Sequence, residues 1–196
     1  MLNEGSYLNP VSLYARTKID SEKIFFNEFN GITSVIRLAT VFGYSKRMRF
    51  DLVANLFTIK AIKEGNLDVY GGTQYRPFIH CLDAARAFKH LVDFEDVKKI
   101  DKEVFNVCCD NITIRNLGEL VSALRKGCNI TIVEQKEDNR NYRVDASKIN
   151  WVLGYEPMLN MLEGVQDMID RIEIQGFDDW DKNDVYYNHK MCGVKL

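Results

Sequence analysis

Residues 10–43, PVSLYARTKIDSEKIFFNEFNGITSVIRLATVFG, decide the fold class. Pro10 to Phe29 reads as a helix, with Ser12 placed to cap it and Ala15, Ile19 and Phe26 recurring on one face at helical spacing. Leu13, Ile24 and Phe25 widen the apolar surface, and Gly31 marks the stop. Thr33 to Phe42 then reads as a strand buried on both faces, as central parallel strands are, and Gly43 ends it. A helix feeding a continuous apolar strand is the repeating unit of α/β architecture.

Outward from this unit the alternation continues. A basic loop (Lys46, Arg47, Arg49) leads to a helix over Phe50 to Glu64, closed by Gly65. Leu67 to Tyr70 is a short strand, Gly71-Gly72 a turn and Tyr75 to Ile79 another extended segment. Leu82 to Phe94 is a helix with Asp83 near its start, where an acidic side chain suits the dipole. The charged stretch Glu95 to Glu103 reads as a solvated connection, and Val104 to Cys108 as a strand. Thr113 is placed to cap a helix over Ile114 to Lys126, and Asn129 to Glu134 is a further strand. A polar loop (Gln135 to Asn141), a short helix (Asp145 to Leu153) and a last long helix (Leu162 to Ile174) follow. The tail has no clear period, and the sequence holds no internal repeat.

The 196 residues suffice for one domain with a real core, or one and a half small ones. A formal net charge of -2 and a pI near 6.0 give no electrostatic reason to expect nucleic acid or an anionic membrane as partner. No apolar run is long enough to span a bilayer, and the opening MLNEGSYLNP does not resemble a signal peptide. The five cysteines (Cys81, Cys108, Cys109, Cys128, Cys192) are odd in number and lack metal-ligand spacing. Buried free thiols in a reducing cytoplasm are therefore expected, and no metal site.

Tyr14 and Lys18 stand four residues apart, on one helix face. A tyrosine hydroxyl, with a pKa of about 10, is a poor base at neutral pH, but a neighbouring ammonium favours the phenolate and makes it a usable proton acceptor. The pair alone is also what an ordinary exposed helix face produces by chance. Three further blocks change its weight. They are Arg37-Leu-Ala-Thr-Val-Phe-Gly43, the long run Val69 to Ala87 (VYGGTQYRPFIHCLDAARA), and Asp138 to Lys148 followed by Leu153-Gly-Tyr-Glu-Pro157.

Together with Pro10 to Glu22, these blocks resemble, in order, those of the extended short-chain dehydrogenase/reductases, the NAD-dependent epimerase/dehydratase family of nucleotide-sugar enzymes. Thr40 stands where that family usually has asparagine, and Cys81 where it has valine. The resemblance implies that Tyr14 is the catalytic acid/base on a sugar hydroxyl or ketone and that Lys18 holds the nicotinamide ribose and tunes Tyr14. It implies that Leu38, Thr40 and Val41 border the nicotinamide of NAD (or NADP), with Thr40 also facing the sugar. It implies that Arg76 and Arg140 grip the diphosphate, as suits planar guanidinium groups. Arg47, Arg49 and Asp51 fall where the family's sugar-binding segment begins, though a solvated basic loop fits them nearly as well. His80 reads better as a satisfied core histidine, Asp83 as a cap or packing residue, and Trp151, Trp180 and the tail tyrosines as packing residues.

No G-x-G-x-x-G or G-x-x-G-x-x-G occurs in the sequence. Such a turn presents a helix N-terminus to the dinucleotide pyrophosphate. The expected fold is thus the C-terminal part of a doubly wound, Rossmann-type α/β domain plus a small substrate-binding domain, with the glycine-rich half absent. Residues 1–45 would be the remnant of the dinucleotide-binding domain, and residues 46–196 mainly the substrate domain, with late sheet strands (about 67–110) interleaved. The expected parent activity is nucleotide-sugar epimerisation or dehydration. The alternative is a catalytically inert nucleotide-sugar-binding or regulatory protein. Expected partners are a nucleotide sugar and either a missing N-terminal half or a second copy covering the exposed sheet edge.

Overall fold

The Ser12 backbone is extended and its hydroxyl accepts the Ala15 N–H, which starts helix α1 (Leu13–Glu28). In the computed structural model, which describes residues 1–134 and 140–191, this helix has no fully buried residue. Ala15, Ile19, Glu22 and Phe26 are half-buried along its inner face, and its other residues are exposed.

The expected single strand divides at Ala39 into β1 (Ser34–Leu38) and β2 (Thr40–Phe42). β1 pairs in parallel with β5 (Glu103–Val107), whereas β2 pairs in parallel with β4 (Tyr75–His80). The change of partner is stitched by Ala39 N–H donating to the Val107 carbonyl and Cys109 N–H donating to the Phe78 carbonyl. No residue of β1 is fully buried, so burial on both faces is not what this segment has. The reason is that β1 has one neighbouring strand, and α1 covers it loosely.

β4 also pairs antiparallel with β6 (Asp110–Thr113), a strand that the sequence reading did not include. A second parallel pair joins β3 (Asn66–Tyr70) to β7 (Asn129–Val133). Helices α2 (Val53–Lys63), α3 (Cys81–Val92), α4 (Ile114–Leu124), α5 (Ser147–Leu153) and α6 (Met161–Gln175) follow the expected order, and a four-residue helix α7 (Asn188–Met191) lies in the tail. Among the described residues, no helix is long and apolar enough to cross a membrane.

Two apolar clusters carry the packing. One gathers Phe42, Phe50, Phe57, Leu67, Leu117 and Met168, and the other Ile79, Phe105, Val107, Ile149 and Tyr155. Phe50 sits at the centre of an aromatic group with Phe177, Trp180 and Tyr186, so the tail is folded onto the core. Trp180 is buried and Tyr186 and Tyr187 pack against the core, as expected. Trp151 is not a packing residue, because it is 80% exposed on the outer side of α5. Cys108 and Cys128 are buried and Cys81 and Cys109 half-buried, all as free thiols; Cys192 lies outside the described residues.

Buried polar groups fix the start of α6. Asp83 is 1% exposed and accepts the Met158 and Leu159 N–H groups at 3.0 and 2.9 Å, with Arg86 pairing it from the side. Asp110 accepts the Met161 N–H, and Asn160 and Glu163 form a reciprocal capping box. His80, rather than Asp83, caps α3. It is 1% exposed and not fully satisfied: Nδ1 accepts the Leu82 N–H, while Nε2 has no hydrogen-bond partner among the described residues, with Asp167 3.7 Å away. Burial lowers its pKa, against the opposing pull of Asp167 and Asp83 and with Arg171 assisting. Gly43, at φ +122°, lies against this ring; a Cβ there would meet His80 Nε2 at 2.6 Å.

Candidate active site

Two concavities meet at the junction of β1 and β2. The first is a groove between α1 and β1, with a cavity volume of about 670 Å³, lined by Tyr14, Lys18, Glu22, Phe25 and the length of β1 through Leu38. α1 presents Tyr14 and Lys18 to it one turn apart, and the Lys18 ammonium lies 5.5 Å from the centre of the Tyr14 ring. Tyr14 is 72% exposed. The helix is held in place at Glu22, whose carboxylate pairs with Arg37 of β1 at 2.6 Å. Arg37 also donates to the Glu4 carbonyl, and the Glu4 carboxylate accepts the Asn106 N–H of β5.

The second concavity is a cleft of about 530 Å³ between β3, the start of α2 and β4. It is lined by Thr40, Asp51, Lys60, Asp68, Arg76 and Arg140, with Val53, Leu56, Phe57, Tyr70 and Ile114 as its apolar walls. Asp51 is half-buried and paired with Arg49 at 2.7 Å. Burial alone would raise its pKa; the hydrogen bonds and charge of Arg49, with backbone N–H groups of Asp51 itself and Asn188, outweigh this and hold it below the usual carboxylate value. The Arg76 guanidinium donates to the Tyr75 carbonyl at 2.8 Å. The cleft therefore combines three cationic side chains and two carboxylates with an aromatic and aliphatic wall, a set that can hold an extended ligand bearing anionic groups, hydroxyls and a flat, apolar part.

The structure thus brings Thr40, Asp51, Arg76 and Arg140 to one cleft and Tyr14, Lys18 and Leu38 to the other. Leu38 ends β1 and Thr40 begins β2, two residues and at most about 7 Å apart along extended chain, so the concavities are adjacent at this point. Val41 lines neither; it packs against the core cluster around Ile79 and Phe105. Nor does Arg47, whose guanidinium donates to Asn188 Oδ1 at 2.7 Å and contacts Met191 Sδ in the tail. Asp138 lies outside the described residues. Lys60, Asp68 and Tyr70 line the cleft without having been singled out; the signal available was the i, i+2 spacing of Asp68 and Tyr70 on a strand. Among the described residues no group of His, Cys, Asp and Glu is arranged to hold a metal ion.

Comparison with known proteins places the chain in a family. UDP-glucuronic acid decarboxylase 6 of Arabidopsis thaliana is 30% identical over 167 residues, covering 81% of this chain and 48% of that protein. The chain spans about half the length of the curated relatives it matches. Its fold is shared with a UDP-glucose 4-epimerase of Thermotoga maritima solved with UDP-glucose, at a TM-score of 0.76 and 23% identity over 89% of this chain and 57% of that one. It is shared also with a dTDP-glucose 4,6-dehydratase of Bacillus anthracis in complex with NAD, at a TM-score of 0.73 and 21% identity over 94% and 57%. The family model for the NAD dependent epimerase/dehydratase family matches residues 1–108, more than half of the sequence. The chain belongs to the NAD-dependent epimerase/dehydratase family.

Proposed function

We propose that this chain is the substrate-binding and proton-transfer part of an NAD-dependent nucleotide-sugar epimerase or dehydratase. The observation that carries this reading is the adjacency of the two concavities: a cationic cleft for the nucleotide diphosphate opens at Thr40 beside Leu38 and the groove that holds Tyr14 and Lys18. An extended ligand whose diphosphate lies by Arg76 and Arg140 directs its sugar past Thr40 toward Tyr14.

The groove fits the nicotinamide-ribose end of the cofactor. Lys18 offers three N–H donors for a ribose diol, Tyr14 an O–H, and Leu38 an apolar edge for a flat ring. NAD (or NADP), when bound, accepts and returns the hydride of a sugar carbon. The chain's own residues do the rest. The ionised Tyr14 oxygen takes the proton of the sugar hydroxyl as the carbon is oxidised and returns it on reduction; Lys18 stabilises the phenolate that exists before the first step and after the second, Tyr14 being a neutral phenol between them. Arg76 and Arg140 hold the diphosphate, converting a bimolecular encounter into a positioned one. Arg49 keeps Asp51 ionised at the mouth of the cleft, ready to accept sugar hydroxyls.

Residues 1–45 belong in this reading to the dinucleotide-binding domain and residues 46–196 mainly to the substrate domain. The free edge of β1 and the exposed apolar residues of α1 (Leu13, Ile24 and Phe25, 76%, 52% and 55% exposed) are where a glycine-rich half or a second copy would pack. A cytoplasmic setting suits the free thiols. The test is turnover of a polypeptide joining this chain to a dinucleotide-binding half. Tyr14→Phe should abolish it with nucleotide-sugar affinity retained; normal turnover by Tyr14→Phe would remove Tyr14 from the mechanism.

A further inference from the structure

Arg76 and Arg140 reach one cleft from distant parts of the chain, and two guanidinium groups brought together repel each other until an anion lies between them. Their two segments must therefore be held side by side. β2 accompanies β4 only from Phe78 to His80, which leaves β4 without that neighbour at Tyr75. The Gln74 carbonyl turns to the other side, where it accepts the N–H of Ile114, the residue after β6. The main-chain groups of Tyr75, next along the strand, consequently turn to the open edge.

Residues 141 and 142 take that edge. The Tyr75 N–H donates to Asn141 Oδ1 at 3.0 Å, and the Tyr75 carbonyl accepts the Tyr142 N–H. The same carbonyl accepts Arg76 Nη1 at 2.8 Å. The Arg143 guanidinium lies 4.9 Å from the centre of the Tyr75 ring. Tyr75 thus touches Asn141, Tyr142 and Arg143, the residues that follow Arg140, and orients Arg76 as well. A second fastening comes from β6. Asn111, in register with Pro77, accepts the Val144 N–H at 2.7 Å and donates to the Val144 carbonyl at 2.9 Å, so one side chain serves both main-chain groups as a neighbouring strand would. Neither Tyr75 nor Asn111 belongs to the wall of the cleft.

We propose that Tyr75 and Asn111 are positioning residues for the diphosphate: they hold Arg140 beside Arg76 and so pre-organise the two cations before the ligand arrives. This inference rests on the nucleotide-sugar reading above. A side chain that only braced the fold would weaken binding whichever residue stood at position 140. One that acts through Arg140 loses its effect when that guanidinium is removed.

Calorimetric titration of the full chain with UDP, dTDP, GDP and CDP identifies the nucleotide that binds tightest, which then serves as the probe. Asn111→Ala should weaken its binding by roughly tenfold in the parent and leave it unchanged in an Arg140→Gln background. Tyr75→Leu should weaken it by roughly threefold in the parent and have no effect beside Arg140→Gln. Tyr75→Phe, which keeps the ring under Arg143, should bind as the parent does. The Tyr75 variants decide the matter if Asn111→Ala does not fold. Equal losses in both backgrounds, or no loss in either, overturn the positioning role while the nucleotide reading stands. Failure of all four nucleotides to bind the parent overturns that reading itself, and this inference with it.

Discussion

The Arg37 guanidinium donates from Nε and Nη2 to the two carboxylate oxygens of Glu22, at 2.9 and 2.6 Å, and this fork ties β1 to the inner face of α1. Both side chains are largely shielded, at 22% and 18% exposure. Since α1 has no fully buried residue, the pair is a main fastening of the helix that carries Tyr14 and Lys18.

Arg37→Met should therefore loosen α1 specifically. The expected loss is about 2 kcal/mol, the value of charged hydrogen bonds withdrawn from a shielded partner. Hydrogen exchange should accelerate in α1 well before it does in α2 or α6. Unchanged protection of α1 in the variant would show that its attachment lies elsewhere.

Asp83 anchors a loop 75 residues away in sequence through the Met158 and Leu159 N–H groups. Asp83→Ala leaves these donors unsatisfied beside a buried cavity and should cost about 3 kcal/mol or more, read from urea denaturation. Asp83→Asn keeps one acceptor oxygen and should recover part of that loss. Equal stability of Asp83→Ala and the parent would contradict the bonding described.

Burial pushes the thiol of Cys108 up to about 11 and that of Cys109 to about 12, from an ordinary value of 9.0. The folded chain thus holds these protons after the unfolded chain has released them. The stability this contributes is complete below pH 9 and is lost as pH rises toward 11 and 12. Alkylation mapped by mass spectrometry at about pH 8 should spare both residues in the folded chain and modify them in urea. Rapid modification of either thiol without unfolding would contradict their placement.

Much of this was legible from local pattern. The inner face of α1 follows from Ala15, Ile19 and Phe26, and the caps Ser12 and Thr113 act as their residue types suggest. The motif residues Thr40, Asp51, Arg76 and Arg140 come to one cleft although 100 positions separate the first from the last. What escaped was decided by distant partners. β6 is four half-buried residues with no apolar alternation, made a strand only by β4. The break at Ala39 reflects a change of neighbouring strand that no local property encodes. Arg47 turns to Asn188 and Met191, which lie 141 and 144 residues away. Trp151 falls on the solvent side of a two-turn helix too short to show a reliable phase.

The central claim is that the cleft bearing Arg76 holds the diphosphate of a nucleotide sugar. Its most direct test is calorimetric titration of the chain with a panel of UDP-, dTDP-, GDP- and CDP-sugars, without NAD, for the parent and for Arg76→Gln. The account predicts saturable binding of one nucleotide class by the parent and a loss of roughly tenfold or more in Arg76→Gln, because a neutral amide replaces a planar cation against phosphate. No binding of any nucleotide sugar, or binding that is indifferent to Arg76→Gln, would contradict it.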